Sequence, residues 1–244
     1  MRILVVNRLL FGLIQATLVV LFTSATALAH EYWFEAGTFF LRPGEVTTVS
    51  LFVGEALQSE SEVPFQASKT NSFQMFTPFG TFDMRTMAED GRKPVVNFSA
   101  DKAGTYVLAM ERGWSYLTLE ADKFVAYLKE DGLEEIIAER ERLGESAKQG
   151  RERYSRFIKT MVQVGANRTG NAKSRHGGRL EIVALDNPYA KKVGDTIQFQ
   201  VYFGGVPLGS KTIFADNRDG STISSQKLVS DKDGKVTVRL DRKG

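Results

Sequence analysis

Residues 95–110 have the sequence VVNFSADKAGTYVLAM, and this stretch decides the fold class of the 244-residue chain. β-Branched and aromatic residues stand on both sides of the polar residues 101–104, which is the pattern of two strands joined by a turn. Tyr106 follows the turn, where its ring can pack and its hydroxyl can bond back to the chain, as in immunoglobulin-like sandwiches. The stretch predicts a mainly β fold, and we expect Trp33, Tyr106 and Trp114 to pack in cores.

Similar strand-like runs, bounded by glycine, proline or polar residues, occur in both halves of the chain. They are residues 32–34, 38–41, 46–53, 72–76, 81–87, 154–164, 180–185, 196–203, 211–215 and 236–240. Gly204 and Gly205 follow one of these runs and predict a two-residue hairpin. Residues 56–70 are polar with one proline, so we expect a loop there.

Residues 121–143 have a different period, because their apolar side chains recur three and four positions apart. Asp131 and Gly132 interrupt the pattern, which predicts two helices, at about residues 120–130 and 133–143. A strand-like run resumes at Tyr154. The simplest interpretation is a helical hairpin, at about residues 120–150, inserted into a β-sandwich.

These patterns predict a mainly β protein with two immunoglobulin-like β-sandwich domains, the first carrying the inserted α-helical hairpin. We expect the first domain at residues 30–165, a linker or exposed loop at 166–178, and the second domain at 179–244. The turn before the last residues should lead to one more strand, so we expect the second domain to be truncated at its C-terminal end.

Residues 1–29 have the pattern of a cleaved secretory signal peptide. Arg2 and Arg8 precede an apolar run that is too short to span a bilayer, and small residues end the segment at Ala29. The sequence therefore predicts export to the periplasm and a mature chain that begins with His30 and does not span the membrane.

A mature N-terminus at His30 predicts a metal ligand, because the free amine and the imidazole can chelate one ion. The chain has no cysteine and only one other histidine, so thiolate and three-histidine sites are excluded. The candidate ligands are His30, His176 and Glu31. The alternatives stay open at this point: His176 lies in a loop-like segment where it could simply be solvated, and Glu31 could be a strand-surface carboxylate.

Composition argues against several other classes of function. Without Arg2 and Arg8 the chain has 30 basic and 29 acidic residues, which gives no support to nucleic-acid binding. No phosphate-binding glycine loop, nucleophile elbow or paired-histidine zinc helix is present in the sequence. The sequence therefore predicts a binding protein rather than an enzyme.

Several motifs, taken together, resemble a known family. They are AHEYWF at 29–34, RPG at 42–44, VGE at 53–55, KFVAYLKEDGL at 123–133, RYSR at 153–156 and DNPYA at 186–190. With these motifs the chain resembles the NikM-like family of exported proteins, which is linked to periplasmic nickel or cobalt uptake. The resemblance implies two immunoglobulin-like domains in a bacterial envelope protein, with the metal-binding residue of the family matched by His30.

The leading hypothesis is a periplasmic protein that binds a transition metal, nickel being favoured over cobalt or copper by the resemblance, as an accessory of metal uptake. Its expected partners are the metal ion and an envelope transporter subunit. One alternative is an adhesion or carbohydrate-facing β-sandwich without metal, for which exposed aromatic residues would be the sign. A second alternative is a copper-dependent redox enzyme with an N-terminal histidine site.

Overall fold

The computed structural model describes residues 31–244, which form a mainly β structure with several sheets and two α-helices. Nine strands and both helices belong to the first part of the chain. They are β1 (Glu31–Ala36), β2 (Phe40–Leu41), β3 (Val46–Glu55), β4 (Gln58–Val63), β5 (Thr70–Thr77), β6 (Gly80–Asp83), β7 (Val96–Ser99), β8 (Gly104–Leu119), α1 (Ala121–Glu130), α2 (Glu134–Arg142) and β9 (Gly150–Val164).

The first nine strands form two sheets that face each other. In one sheet β3 pairs with β1, β4 and β7, and the other has the order β2-β9-β8-β5-β6. All pairs are antiparallel except β2 with β9. Side chains from both sheets, such as Leu51, Phe73 and Val162, are fully buried in one apolar core between them. The hydroxyl of Tyr106 donates to the carbonyl of Lys102 at 2.8 Å, which confirms the corner that residues 95–110 predict.

The two helices lie between β8 and β9, as their spacing predicts. Helix α1 ends in a Schellman motif, in which the N–H of Leu133 donates to Leu128 at 2.8 Å and Gly132 has a φ of +68°. Phe124 and Leu128 of α1 pack on Leu119 at the end of β8 in a second apolar cluster. None of the helices in residues 31–244 combines the length and the apolar character that a bilayer crossing requires.

The rest of the chain adds a third sheet and a separate hairpin. Its strands are β10 (Leu180–Ala184), β11 (Thr196–Phe203), β12 (Val206–Pro207), β13 (Thr212–Asp219), β14 (Thr222–Val229) and β15 (Lys235–Arg239). Strand β11 pairs with β10, β12 and β15, and β13 pairs with β14 alone. The turn between β11 and β12 is Gly204-Gly205, as the sequence predicts.

Three expectations from the sequence are wrong. Residues 56–70 contain strand β4, whose mainly exposed polar side chains carry no hydrophobic alternation. Strand β14 was not predicted either, because the polar run Ser224–Lys227 separates its apolar residues and leaves no regular alternation. Trp33 and Trp114 do not pack in a core: Trp33 lies opposite Phe52 on the outer face of the first sheet and belongs to neither apolar cluster, and Trp114 is 45% exposed on the outer face of the β8–β9 arm.

Candidate functional site

The described chain has an acidic pocket of about 270 Å³ beside the start of β1. Five of its eight lining residues carry carboxyl groups. The lining residues are Glu31, Glu55, Ala56, Glu130, Asp131, Phe214, Asp216 and Ser225. We refer to these eight residues as the acidic pocket.

Four elements bring these carboxyl groups together. Glu31 is the first residue of β1 and lies opposite Gly54 of β3, next to Glu55 at the end of that strand. Asp131 is the C-cap residue of α1. Asp216 comes from β13, where it lies opposite Ser225 of β14. The pocket therefore forms only when the first sheet, α1 and the β13–β14 hairpin assemble.

The β13–β14 hairpin is held in this position by ion pairs. Nη2 of Arg218 lies 2.6 Å from Oε1 of Glu35 on β1, and Nη1 of Arg218 donates to the carbonyl of Leu57 at 3.2 Å. Lys211 pairs with Glu135 of α2. These contacts hold the hairpin against both β1 and the helices. They therefore keep Asp216 of β13 close to Glu31 of β1.

The surroundings of Glu31 disfavour the negative charge of its carboxylate. Burial raises the pKa of Glu31, and the charges of Asp216, Glu55 and Asp131 raise it further, although the N–H of Ala56 donates to the Glu31 carboxylate at 3.0 Å and lowers it. A cation in the pocket would remove this repulsion.

Two further carboxyl groups of the pocket, those of Asp131 and Asp216, are also partly withdrawn from solvent. The pKa of Asp131 is also raised, chiefly by burial and with contributions from the charges of Glu152 and Glu130. Oδ1 of Asp216 is buried and has no hydrogen-bond partner among the described residues. Most buried polar atoms in folded proteins have a partner, so an unpaired carboxylate oxygen here is an acceptor available to a ligand.

The turn at the pocket rim is strained. Ala56 and Leu57, which join β3 to β4, have φ values of 45° and 61°, in the left-handed region that favours glycine and asparagine. The bond from the Ala56 N–H to Glu31 holds one of the two strained residues. Strained backbone of this kind concentrates at functional sites, where the surrounding structure has to maintain it.

The acidic pocket does not form a complete metal site by itself. Within residues 31–244, no three side chains of histidine, cysteine, aspartate or glutamate are close enough together to hold an ion. Its donors are carboxylate oxygens, which suit hard cations, whereas nickel and copper favour nitrogen. A transition-metal site here would need nitrogen donors from residues next to Glu31. His30 is the residue before Glu31 in the sequence and lies outside the described residues.

The structure places His176 elsewhere, against the outer face of the second sheet. Its side chain is nearly buried, its ring lies 4.3 Å from the ring of Phe76, and its Nδ1 is 3.6 Å from Oε1 of Glu181. The alternative that His176 is simply solvated is wrong, because its backbone N–H donates to Glu181 at 2.7 Å and draws the loop inward. The structure does not join His176 and Glu31 with a third ligand among the described residues.

A buried ion pair accompanies His176. Nζ of Lys159 lies 2.8 Å from Oε1 of Glu181, which is fully buried. Burial opposes the charge of Glu181, but the His176 imidazole, the Lys159 ammonium and the His176 N–H outweigh it and lower the pKa of Glu181 to about 2. Burial lowers the pKa of Lys159, although the hydrogen bond to Glu181 and its negative charge raise it. The Lys159–Glu181 pair and the His176 N–H thus form a structural contact between β9, β10 and the loop before β10, while both ring nitrogens of His176 are buried without a hydrogen-bond partner among the described residues.

Sequence reasoning found Glu31 but missed most of the acidic pocket. Glu55 stands in VGE, a motif of the family resemblance, and Asp131 marks the interruption between the two predicted helices. Asp216 has no local pattern around it that marks a ligand. Only the position of the β13–β14 hairpin brings Asp216 to Glu31.

Comparison with known proteins gives one family. The family model described as "Domain of unknown function (DUF4198)" matches residues 27–244. No curated protein matches the chain. The match covers all of the described residues, so it includes the acidic pocket and the His176 contact together.

Proposed function

The chain belongs to the DUF4198 family, and on that premise we propose that it is an exported protein that binds a transition-metal ion at the acidic pocket. The observation that carries the proposal is the crowding of Glu31, Asp216 and Asp131, with the pKa of Glu31 raised by burial and by its acidic neighbours. Carboxyl groups held together against their repulsion favour a bound cation.

The proposed ligands are His30, through its amine and imidazole, with Glu31 and Asp216 supplying oxygen. Nitrogen from His30 would favour nickel, copper or cobalt over the hard cations that carboxylates alone select. Nickel is favoured by the resemblance to the NikM-like family. His176 is the weaker candidate, since its contacts with Glu181 and Phe76 account for its position.

The proposal includes the cell compartment and the partner. The signal-peptide pattern of residues 1–29 supports export to the periplasm, which would free the amine of His30. The acidic pocket lies at the chain surface, where an ion could exchange with a transporter subunit. We also propose that the sheets are organised as two immunoglobulin-like sandwich domains, supported by the facing sheets and by the Tyr106 corner.

Titration calorimetry of processed residues 30–244 with Ni²⁺, Cu²⁺, Co²⁺ and Ca²⁺ tests the proposal. We expect Ni²⁺ or Cu²⁺ to bind, and His30→Ala, Glu31→Gln and Asp216→Asn each to weaken binding at least tenfold, about 1.4 kcal/mol. Glu141→Gln, an exposed carboxylate on α2, is the matched control and should bind as the wild type does. Mass spectrometry of the mature N-terminus verifies the processing site.

Three outcomes would contradict the proposal. Absence of binding by the processed wild type removes the metal function altogether. Equal affinities in wild type and all three variants would place the ion elsewhere. Loss of affinity in Glu31→Gln and Asp216→Asn, with tighter Ca²⁺ than Ni²⁺ binding and no effect of His30→Ala, would identify a hard-cation site. Peroxide-driven oxidation by the copper form would favour the redox-enzyme alternative.

A further inference from the structure

A row of arginine and aromatic side chains lies on the outer face of the β8–β9 arm and continues onto the end of β11. Three of its four aromatic members are exposed: Trp114 by 45%, Tyr116 by 75% and Phe203 by 46%. We define the arginine–aromatic row by its eight members, Arg151, Arg153, Arg175, Arg179, Trp114, Tyr116, Tyr202 and Phe203. Exposed aromatic residues grouped in this way mark interaction surfaces.

Strand register puts the first part of the row on one face. Tyr116 of β8 lies directly opposite Arg153 of β9, and Thr118 lies opposite Arg151. Cross-strand partners in an antiparallel pair project to the same side of the sheet. Arg151 and Arg153 are both exposed, so two guanidinium groups and the Tyr116 ring face solvent together.

Aromatic rings hold the guanidinium groups in place. Cζ of Arg153 lies 4.3 Å from the centre of the Trp114 ring, and Cζ of Arg179 lies 5.8 Å from the same ring. Arg179 also lies 5.0 Å from the centre of Phe203. Cation–π contacts of this kind orient a guanidinium without using its N–H donors.

A third positioned guanidinium lies beside the end of the row. Cζ of Arg175 lies 4.7 Å from the ring of Tyr202, and its Nη1 donates to the carbonyl of Gly205 at 3.1 Å. Gly205 belongs to the same turn that follows Phe203. Tyr202 and Phe203 are successive residues of β11 and project to opposite faces of the strand. Arg175 therefore lies across β11 from Phe203, and the continuous part of the row runs from Arg151 on β9 to Arg179 and Phe203.

The four arginines of the row have no carboxylate partner. No ion pair within residues 31–244 includes any of them, although arginines elsewhere, such as Arg142 and Arg218, pair with glutamates. An oriented guanidinium without an internal anion presents a planar pair of donors that matches an external carboxylate. The charge of the row is complementary to a polyanion.

The shape of the row favours a linear polymer. From Trp114 to Thr118 the row follows one strand for about 13 Å, at the usual rise of about 3.3 Å per residue. It then continues through Arg179, which lies over both Trp114 and Phe203. A membrane surface would instead require a plane of apolar side chains that can enter the lipid.

Charge and stacking argue against a nucleic acid. The net charge of the chain is only +3, without the strong basic excess of nucleic-acid-binding domains. Stacking of successive bases needs several open aromatic faces, but guanidinium groups lie over Trp114 and Phe203. Tyr116 is the one aromatic ring of the row that is more than half exposed.

We propose that the arginine–aromatic row binds a linear acidic polysaccharide. Arg153 and Arg179 bind successive carboxylate groups of the polymer, and the ring of Tyr116 packs against the apolar face of a sugar. The proposal is independent of the metal function, because none of the eight members lines the acidic pocket.

Affinity electrophoresis in gels containing polygalacturonate, with uncharged dextran as the reference, tests the proposal on residues 30–244. We expect retardation by polygalacturonate only, weakened by added salt because exposed charges are screened. Arg153→Glu/Arg179→Glu should reduce the affinity at least tenfold. Lys69→Glu/Lys123→Glu, at two exposed lysines outside the row, is the control with the same change of net charge and should retain the affinity.

A second variant separates specific contact from general attraction. Tyr116→Ala leaves the charge unchanged and alters a ring that is 75% exposed, so it should fold normally and reduce the affinity about threefold or more. Equal retardation of wild type and Arg153→Glu/Arg179→Glu, or none for wild type, overturns the proposal. Tighter binding of poly(dT) or of phosphatidylglycerol vesicles than of polygalacturonate, at equal charge concentration, also overturns it.

Discussion

Nζ of Lys159 lies 2.8 Å from Oε1 of Glu181, and the two side chains retain only 12% and 0% exposure. Glu181 also accepts hydrogen bonds from the N–H groups of His176 and Gly177. One carboxylate thus joins β9, β10 and the loop before β10. The contact is a buried polar connection between the second sheet and the third.

Glu181→Gln should destabilise the protein strongly, because it leaves the Lys159 ammonium buried without a counter-charge. Breaking a buried ion pair by removing one partner costs about 3–5 kcal/mol. Urea unfolding monitored by circular dichroism measures the loss. Glu139→Gln breaks an exposed pair with Arg142 and should cost less than about 1 kcal/mol.

The double variant Lys159→Met/Glu181→Gln tests whether the unpaired Lys159 charge causes the destabilisation. It removes both charges and should recover a large part of the lost unfolding free energy. If Glu181→Gln alone costs no more than Glu139→Gln, the pair does not stabilise the fold.

The contribution of Glu181 should disappear in acid. Its pKa is lowered to about 2 in the folded protein, so the unfolded chain binds the proton more readily. The stabilisation is complete above about pH 4.5 and is lost as the pH falls towards 2, because protonation then removes the charge in the folded state as well. A shift of this size corresponds to roughly 3 kcal/mol.

Urea unfolding of wild type and Glu181→Gln between pH 6 and pH 2.5 measures this dependence. The difference in unfolding free energy between the two proteins should narrow as the pH falls. A difference that stays constant over the whole range would mean that the charge of Glu181 contributes nothing.

Local sequence patterns predicted the elements that carry their own signal. Residues 95–110 predicted β7 and the start of β8, and the helical spacing with Asp131-Gly132 predicted α1 and α2. Strands β4 and β14 were not predicted, because many of their side chains are polar and face solvent. These segments are strands because their backbones pair with neighbouring strands. Pairing depends on neighbours that are distant in the sequence, so it leaves no local pattern.

The candidate site was predictable to the same limited extent. Glu31 was found because it follows His30, whereas Asp216 reaches the acidic pocket through the pairing of β13 with β14 and through the ion pair of Arg218 with Glu35. The exposure of Trp114 depends on the face of β8 that it occupies, which is set by the register irregularity between Arg112 and Ser115. Neither the hairpin position nor that register follows from residue types along one stretch.

Thr105→Val should destabilise the fold through unpaired polar groups. Thr105 is fully buried, and its Oγ1 donates to Oε1 of Gln163 at 2.8 Å and accepts from Nδ2 of Asn187 at 3.0 Å. Valine has the same shape but satisfies neither partner, so we expect a loss of about 2 kcal/mol in urea unfolding. Thr237→Val, on the exposed face of β15, should change stability by less than about 0.5 kcal/mol.

Hydrogen exchange tests whether Thr105 joins two parts of the chain. Asn187 precedes the turn at Pro188–Ala190, so faster exchange in Thr105→Val should appear there as well as in β8. Faster exchange confined to β8 would contradict a connecting role.

Ala56→Asn/Leu57→Gly should stabilise the protein, because the two residues form a two-residue turn between Glu55 and Gln58 with φ values of 45° and 61°. Asn-Gly is the favoured pair for a turn with two positive φ values, whereas non-glycine residues cost roughly 1–2 kcal/mol each in the left-handed region. We expect a gain of about 1 kcal/mol in urea unfolding. Leu57→Val places a β-branched residue in the same conformation and should reduce stability, and a gain from both variants would contradict strain at this turn.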